Sequence, residues 1–213
     1  MRTDITDLKR AEARLEELLA SEQQARVDVE RARRILDERN RELAEQARTD
    51  SLTRLANRPA FFEQAAEALA RALRAQTNVA VIYVDLDNFK QINDTLGHAA
   101  GDEFLQVVAQ RLHSLARSSD LVARLGGDEF LLLVTDLDRE EGAAKAAAVA
   151  DRVREALTCP VAIGDAIARV TASVGVGMFP ADASDADALV AAADAAMYGA
   201  KRTARRGRLR SVG

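Results

Sequence analysis

Tryptophan is absent, and aromatic residues make up only 4% of the 213 positions, so a core has to come from Ala, Val and Leu within the 48% of apolar residues. There is a single cysteine, Cys159. It excludes an intrachain disulfide and points to a reducing compartment. Beside Pro160 and after an apolar stretch, it reads as a packed core residue. Positive charge is not in excess either: 30 basic against 34 acidic residues leave a net charge of -4. A nucleic-acid binder needs a basic face, so nucleic acid is excluded as a partner. Long hydrophobic runs are missing too. The N-terminal "MRTDITDLKRAEARL" contains no signal-peptide core, and no window approaches a membrane span. The expectation is a cytoplasmic chain with no membrane segment, made of one domain of common size and an extra segment.

That extra segment is marked by a further absence. Residues 5–48 contain neither Gly nor Pro and are dense in Glu, Arg, Ala and Leu, which predicts one long helix. Leu8, Leu15, Glu22, Val29, Leu36 and Leu43 recur every seventh residue, the spacing of a coiled-coil seam. The second track is open between Ala11, Leu18, Ala25, Ala32 and Glu12, Leu19, Arg26, Arg33. We read residues 1–48 as a signalling helix in a parallel homodimer, with two registers available to a regulatory twist. Residues 49–213 form the second domain.

From residue 50 the texture changes. "DSLTRLANRPAFFEQAAEALARALRAQ" is a polar lead-in with Pro59 near the start of an amphipathic helix, and "NVAVIYVDLD" is a strand ending in acids. "GDEFLQVVAQRLHSLA" has helical spacing, "DLVARLGGDEFLLLV" is a hairpin around two glycines, and "REEGAAKAAAVADRVREAL" is a helix. "IARVTASVGVGMF" reads as one strand and "DADALVAAADAAMYGAKRTA" as a closing helix. Two strands joined by a tight hairpin make the sheet mostly antiparallel, so the fold class is an α+β, ferredoxin-like sandwich. The tetrapeptide GDEF occurs at 101–104 and again at 127–130; the spacing that follows predicts a helix cap in the first case and a turn in the second.

Asp85 and Asp87 end an apolar strand, where D-x-D-N opens like a calcium loop. That reading fails, because Lys90 stands at the sixth position, where glycine is required, and Leu96 at the twelfth, where an acid belongs. Asp85 and Asp87 can share a face, but the turn that begins there leaves only one as a ligand. If the hairpin pairs beside this strand, Asp85 and Asp128 converge at one sheet edge, and together they call for a divalent cation. Lys90 and the N–H groups of the "DNFK" turn lie where phosphates would be expected, with Lys201 and Arg205 one helical turn apart beyond them. A metal, a polyanion and phosphoryl transfer are the common explanation.

Over roughly residues 49–207 the ordered motifs "DSLTRLANRPAFF", "DLDNFKQINDTLGHAAGD", "RSSDLVARLGGDEF", "ASVGVGMFP" and "ADAAMYGAK" resemble the GGDEF family of diguanylate cyclases. The resemblance implies a nucleotidyl-cyclase, palm-like fold. It also implies condensation of two GTP into cyclic di-GMP plus two pyrophosphates by two facing domains, with Mg2+ as cofactor and Mn2+ as the alternative. It marks Asp85, the Leu86 carbonyl and Asp128 as metal ligands. Asp128 also activates the attacking 3′-hydroxyl, and Glu129 is a catalytic-position acid that either touches metal or orders the turn. Asn93 and Asp102 are implied guanine readers, with His98 between them in a substrate-side or structural role. Asn88, Phe89, Lys90, Lys201 and Arg205 face phosphates, and Gly126 and Gly127 let nucleotide approach the backbone. Arg117 and Asp120, the R-x-x-D pair, and Arg152 form an implied cyclic di-GMP inhibition site. The sequence departs from the family at Arg54, where glycine is common, and at "RTARRG", which replaces the usual G-R-N ending. "DITDLKRAEARL" looks like the exit of a PAS sensor domain, which implies an upstream sensor partner and a chain that is a fragment or a fusion.

Overall fold

The structure is a computed structural model that describes residues 21–37, 48–164 and 166–210 with isolated positions 14, 19, 39 and 43, leaving out the side chains of 203–210. The chain divides into two units, Met1–Gln46 and Ala47–Gly213. In the first unit, residues 21–37 are helical (α1). Val29, Leu36 and Leu43 of the seam are exposed there. Leu8, Leu15, Ala11, Glu12 and Leu18 lie outside the described residues.

The second unit runs α2 (Arg58–Ala75), β1 (Asn78–Asp87), α3 (Phe89–Leu96), α4 (His98–Leu115), β2 (Leu121–Gly126), β3 (Glu129–Leu137), α5 (Gly142–Thr158), β4 (Val161–Ile163), β5 (Ala166–Ala168), β6 (Thr171–Phe179) and α6 (Ala186–Arg210). The main sheet has the order β2-β3-β1-β6, antiparallel at every pairing, and β4 pairs with β5 separately. Local chemistry sets the start of α2: the Asn57 side chain accepts from the Ala60 N–H at 3.1 Å, and Pro59 follows in the first turn.

β1 is central and covered on both faces, which is why it reads as an unbroken apolar run. Its even positions, Ala80, Ile82, Val84 and Leu86, pack with Phe104 and Leu112 of α4 and Val153 of α5. Its odd positions, Val79, Val81 and Tyr83, pack with Phe61 and Leu69 of α2 and Leu189 and Ala193 of α6. The sheet is therefore sandwiched, and the acids that end β1 emerge at its rim.

Several expectations are corrected. The single strand expected over "IARVTASVGVGMF" is two, β5 and β6, because backbone pairing lapses at Arg169 and Val170 and β5 turns back onto β4. The "DNFK" turn opens an eight-residue helix, α3, whose Phe89 and Ile92 reach the core. Gly101–Phe104 lies inside α4, capped by Gly97, rather than at a cap itself. Cys159 is exposed, since α5 ends at Thr158 and the cysteine sits in the extended residue that follows. Among the described residues no helix is long and apolar enough to cross a membrane.

Candidate active site

The β2–β3 hairpin delivers the signature acids. Gly126 and Gly127 have φ of 141° and 55°, values that L side chains rarely adopt, so the turn requires glycine for its backbone conformation. A Cβ at either position would meet no atom within 4 Å, so the space above this turn is open. Arg124, only 10% exposed, grips the turn: its Nε and Nη2 donate to the Gly127 carbonyl at 3.0 and 2.8 Å, and its Nη1 donates to Asp50 Oδ1 at 3.1 Å. Asp50 also accepts from the Thr53 N–H and hydroxyl at 2.8 and 2.6 Å. Burial pushes the Asp50 carboxyl up, but the Thr53 and Arg124 hydrogen bonds outweigh it and hold it below its ordinary value. Arg54 completes this brace with φ 62°, a left-handed conformation that explains the family's usual glycine, and its N–H bonds to the Asp50 carbonyl at 2.9 Å. Asp50 and Arg124 went unnoticed in the sequence, because their pairing spans 74 residues.

The hairpin meets β1 where the acids stand. The Leu86 N–H donates to the Asp128 carbonyl at 3.2 Å, and Asp85 pairs with Glu129 in the strand register. The hairpin thus pairs beside β1 and brings the Asp128 main chain to the residue that follows Asp85. Asp85 Oδ1 accepts from Lys201 Nζ at 2.6 Å. The route by which Lys201 arrives is written in small residues: a Cβ on Gly175 would lie 2.2 Å from the Ala193 carbonyl and the Met197 N–H, and one on Gly177 would lie 2.7 Å from the Leu189 carbonyl. Only glycines let α6 lie this close on β6, and Lys201 continues the i, i+4 row of Ala193 and Met197. The Arg205 side chain lies outside the described residues, although α6 continues through "RTARRG" to Arg210.

Tyr83, two residues before Asp85 on the same face, is raised well above the ordinary phenol value by burial first, then by its hydrogen bond to Glu129 and the charges of Glu129, Asp194 and Asp85. The acidity at this edge is thus concentrated. Among the described residues no three His, Cys, Asp or Glu side chains converge closely enough to hold a metal by themselves. The donor set of Asp85, Asp128 and the Leu86 carbonyl still fits Mg2+, a hard cation that takes one or two carboxylates and completes its shell with phosphate oxygens and water.

Beyond β1 the chain reverses at Asn88, which has φ 60° and precedes the first residue of α3. Asn88 and Lys90 are exposed, whereas the Phe89 side chain is 8% exposed and packs on Phe104, so Phe89 offers only its main chain to a ligand. First-turn N–H groups have no partner within a helix and make an anion site. Asn93 packs against α4 through a glycine: a Cβ on Gly101 would lie 1.9 Å from Asn93 Oδ1, so the Asn93 side chain occupies the space above Gly101, while Asp102, the next residue of α4, is exposed. His98 opens α4 and is exposed.

On the other flank, Arg117, Asp120 and Arg152 line one cavity of about 130 Å³ with Lys145, a cation that the sequence reasoning missed. Asp120 holds its own turn, accepting from the Arg117 N–H at 2.9 Å and the Thr135 N–H at 3.3 Å, and so sets where Arg117 starts. Lys145 contacts Asp138 and Glu141, and its hydrogen bonds to these two acids raise it above its ordinary value.

Comparison with known proteins places this architecture. The family described as diguanylate cyclase, GGDEF domain, matches residues 47–207. Diguanylate cyclase TpbB of Pseudomonas aeruginosa is 43% identical over 171 residues, which cover 80% of this chain and 39% of TpbB. The solved GGDEF domain of TpbB superposes with a TM-score of 0.69 at 41% identity, covering 73% of this chain and 89% of that domain. Diguanylate cyclase DgcP of Escherichia coli is 38% identical over 168 residues, covering 78% of this chain and 48% of DgcP. The coiled coil and GGDEF domain of DgcB from Caulobacter crescentus, solved with c-di-GMP, has a TM-score of 0.66 at 29% identity and covers 87% of this chain and 95% of that one. The chain spans less than half the length of the curated relatives it matches, and what it shares with them is the domain whose hairpin, acids and strand order are described above: it belongs to the GGDEF diguanylate cyclase family.

Proposed function

We propose that the chain is a diguanylate cyclase that acts as a homodimer in the cytoplasm, joining two GTP into cyclic di-GMP with release of two pyrophosphates. The observation that carries this reading is the Leu86 N–H to Asp128 carbonyl bond, which brings the signature turn to the end of β1 beside Asp85 and the start of α3. Asp85, Asp128 and the Leu86 carbonyl would hold Mg2+, or Mn2+ in its place. Bound there, the ion lowers the pKa of the 3′-hydroxyl and neutralises charge developing on the α-phosphate.

The chain's own groups do the rest. Asn93 and Asp102 read guanine, the carboxylate accepting from N1–H and the exocyclic amine while the amide supplies complementary bonds. The N–H groups of Phe89 and Lys90, the Lys90 side chain and Lys201 bind phosphates, with Lys201 exchanging Asp85 for the nucleotide; Arg205 stands one turn further along α6. Gly126 and Gly127 leave room for nucleotide over the turn, and Glu129, held by Tyr83, orders it. Each 3′-oxygen forms a bond to the α-phosphorus of the facing GTP, the bond to the β-phosphate oxygen breaks, and the hydroxyl proton leaves to solvent. His98 edges the guanine side.

Two domains must face each other for this, and the first unit supports the pairing: Val29 and Leu36 of α1, and Leu43 beyond it, are exposed at 67%, 61% and 62% with seven-residue spacing. A sensor preceding the helix would act by shifting its register. Product inhibition is supported by the common cavity of Arg117, Asp120 and Arg152, because arginine pairs with phosphate bidentately and stacks on guanine. The test is purified protein with GTP and Mg2+, products resolved by chromatography. Cyclic di-GMP forms in the wild type and falls on the order of 10³-fold in Asp128→Ala; binding of GTP without turnover in the wild type would overturn the reading. Arg117→Ala raises the product yield.

A further inference from the structure

Two acids end β1, and the proposed chemistry uses only one. Asp85 turns to Lys201, while Asp87 has both carboxylate oxygens engaged by β6: Oδ2 accepts from the Thr171 hydroxyl at 2.6 Å and Oδ1 from the Ser173 hydroxyl at 2.8 Å. Neither a metal ligand nor a solvated surface charge, Asp87 is a fastening. Hydrogen bonds from hydroxyls to an ionised carboxylate are short and stronger than neutral ones, and here they fall at a place that needs them.

Asp87 is the last residue of β1 and Thr171 the first of β6, and the two pair across the final rung of the sheet. A terminal rung has no further rung to prevent fraying. Directly after it, Asn88 takes φ 60°, in the left-handed region, which asparagine tolerates better than other residues with a Cβ but which still gains from enforcement by its surroundings. Packing does not supply that enforcement on one side. Gln91 and Thr95 of α3 face a cavity of about 560 Å³ that also borders Asp87 and Thr171. The position of the Leu86 carbonyl and of the first N–H groups of α3 then depends on where Asp87 is tied.

We propose that Asp87, Thr171 and Ser173 form a latch that positions the Asn88–Lys90 turn for the nucleotide phosphates, with Asp87 a positioning residue rather than a ligand. This rests on the phosphate-binding reading of that turn. Two groups held within about half an ångström by such support bind a triphosphate far better than the same groups on a loose turn. The sequence signal for the latch is the T-x-S spacing in "VTASVG" opposite D-x-D, two period-2 patterns whose like faces meet only when β1 and β6 pair.

The experiment compares Thr171→Val with Ser173→Ala, singly and together, and Thr171→Ser as the conservative control. Two measurements are made: steady-state kinetics with MgGTP, and hydrogen exchange of the residue 86–92 amides in nucleotide-free protein. In the double variant KM for MgGTP rises about 10-fold or more while kcat changes by less than about 3-fold, and the 86–92 amides exchange faster. Thr171→Ser restores both readouts. An unchanged KM, unchanged exchange in that segment, or a Thr171→Ser variant as impaired as Thr171→Val would overturn the latch. If the double variant does not fold, the exposed Thr171→Val site alone gives the same pair of readouts. The two readings fail separately: a wild type without cyclic di-GMP synthesis refutes the cyclase, whereas exchange in the nucleotide-free protein still judges the latch.

Discussion

The tetrapeptide Gly-Asp-Glu-Phe is used twice, and the two copies do different work with the same letters. At 101–104 it lies in the first turns of α4; at 127–130 it turns the β2–β3 hairpin. Each ends in a phenylalanine anchored in one shared core, Phe104 at 1% and Phe130 at 0% exposure. In the proposed reading each supplies an aspartate to the nucleotide, Asp102 for guanine and Asp128 for the metal. The glycines differ most. Gly101 is small because Asn93 fills its Cβ position, whereas Gly127 has open space and is required for its φ of 55°. One glycine answers a packing demand and the other a backbone demand, which no reading of the four letters can distinguish.

Alanine at each site separates these demands. Gly101→Ala should have the largest effect on substrate: the new methyl meets Asn93 Oδ1 at 1.9 Å, so the amide swings away and KM for GTP rises on the order of 10- to 100-fold. Thermal unfolding of the same variant should show little loss, since alanine is the better helix former and a side-chain tip can move. A KM that stays at the wild-type value would sink the guanine assignment of Asn93. Arg124→Ala comes next. It frees the Gly127 carbonyl and leaves Asp50 with Thr53 but without its counter-charge, and urea unfolding should register a loss of about 1.5–3 kcal/mol together with lower kcat. Gly127→Ala should cost less, about 1–2 kcal/mol in the same assay, and Gly127→Asn less again because asparagine tolerates the left-handed region.

The smallest effect is one of pH. Asp50 titrates below its ordinary value in the folded chain, so in the acid range the unfolded state binds more protons than the folded state, and stability rises with pH there. The Asp50 contribution is complete above the unfolded carboxylate pKa and disappears as pH falls through the folded value. Unfolding midpoints measured from neutral to acid pH should fall less steeply in Asp50→Asn than in the wild type; equal slopes would mean that the Thr53 and Arg124 bonds do not hold the charge.

What could be read from the chain follows the same division. The acids at the end of β1, the hairpin and the family motifs were legible because each is a local pattern with one physical reason. The short hairpin of β4 and β5, the helix α3 and the exposure of Cys159 were not, since three-residue strands and an eight-residue helix carry too little periodicity to stand out. The brace from Asp50 to Arg124 and the glycine path beneath α6 were hidden for another reason: each joins residues far apart in sequence whose types are unremarkable singly.

By itself, then, the sequence determined which residues are candidates: an apolar central strand ending in Asp85 and Asp87, two glycines that permit a tight turn, and cations spaced along a closing helix. Only the tertiary structure decided what each acid is paired with. Register placed Thr171 and Ser173 against Asp87, and close packing over Gly175 brought Lys201 to Asp85, because hydrogen-bond partners and van der Waals contacts are properties of paired strands and packed helices rather than of neighbours in the chain.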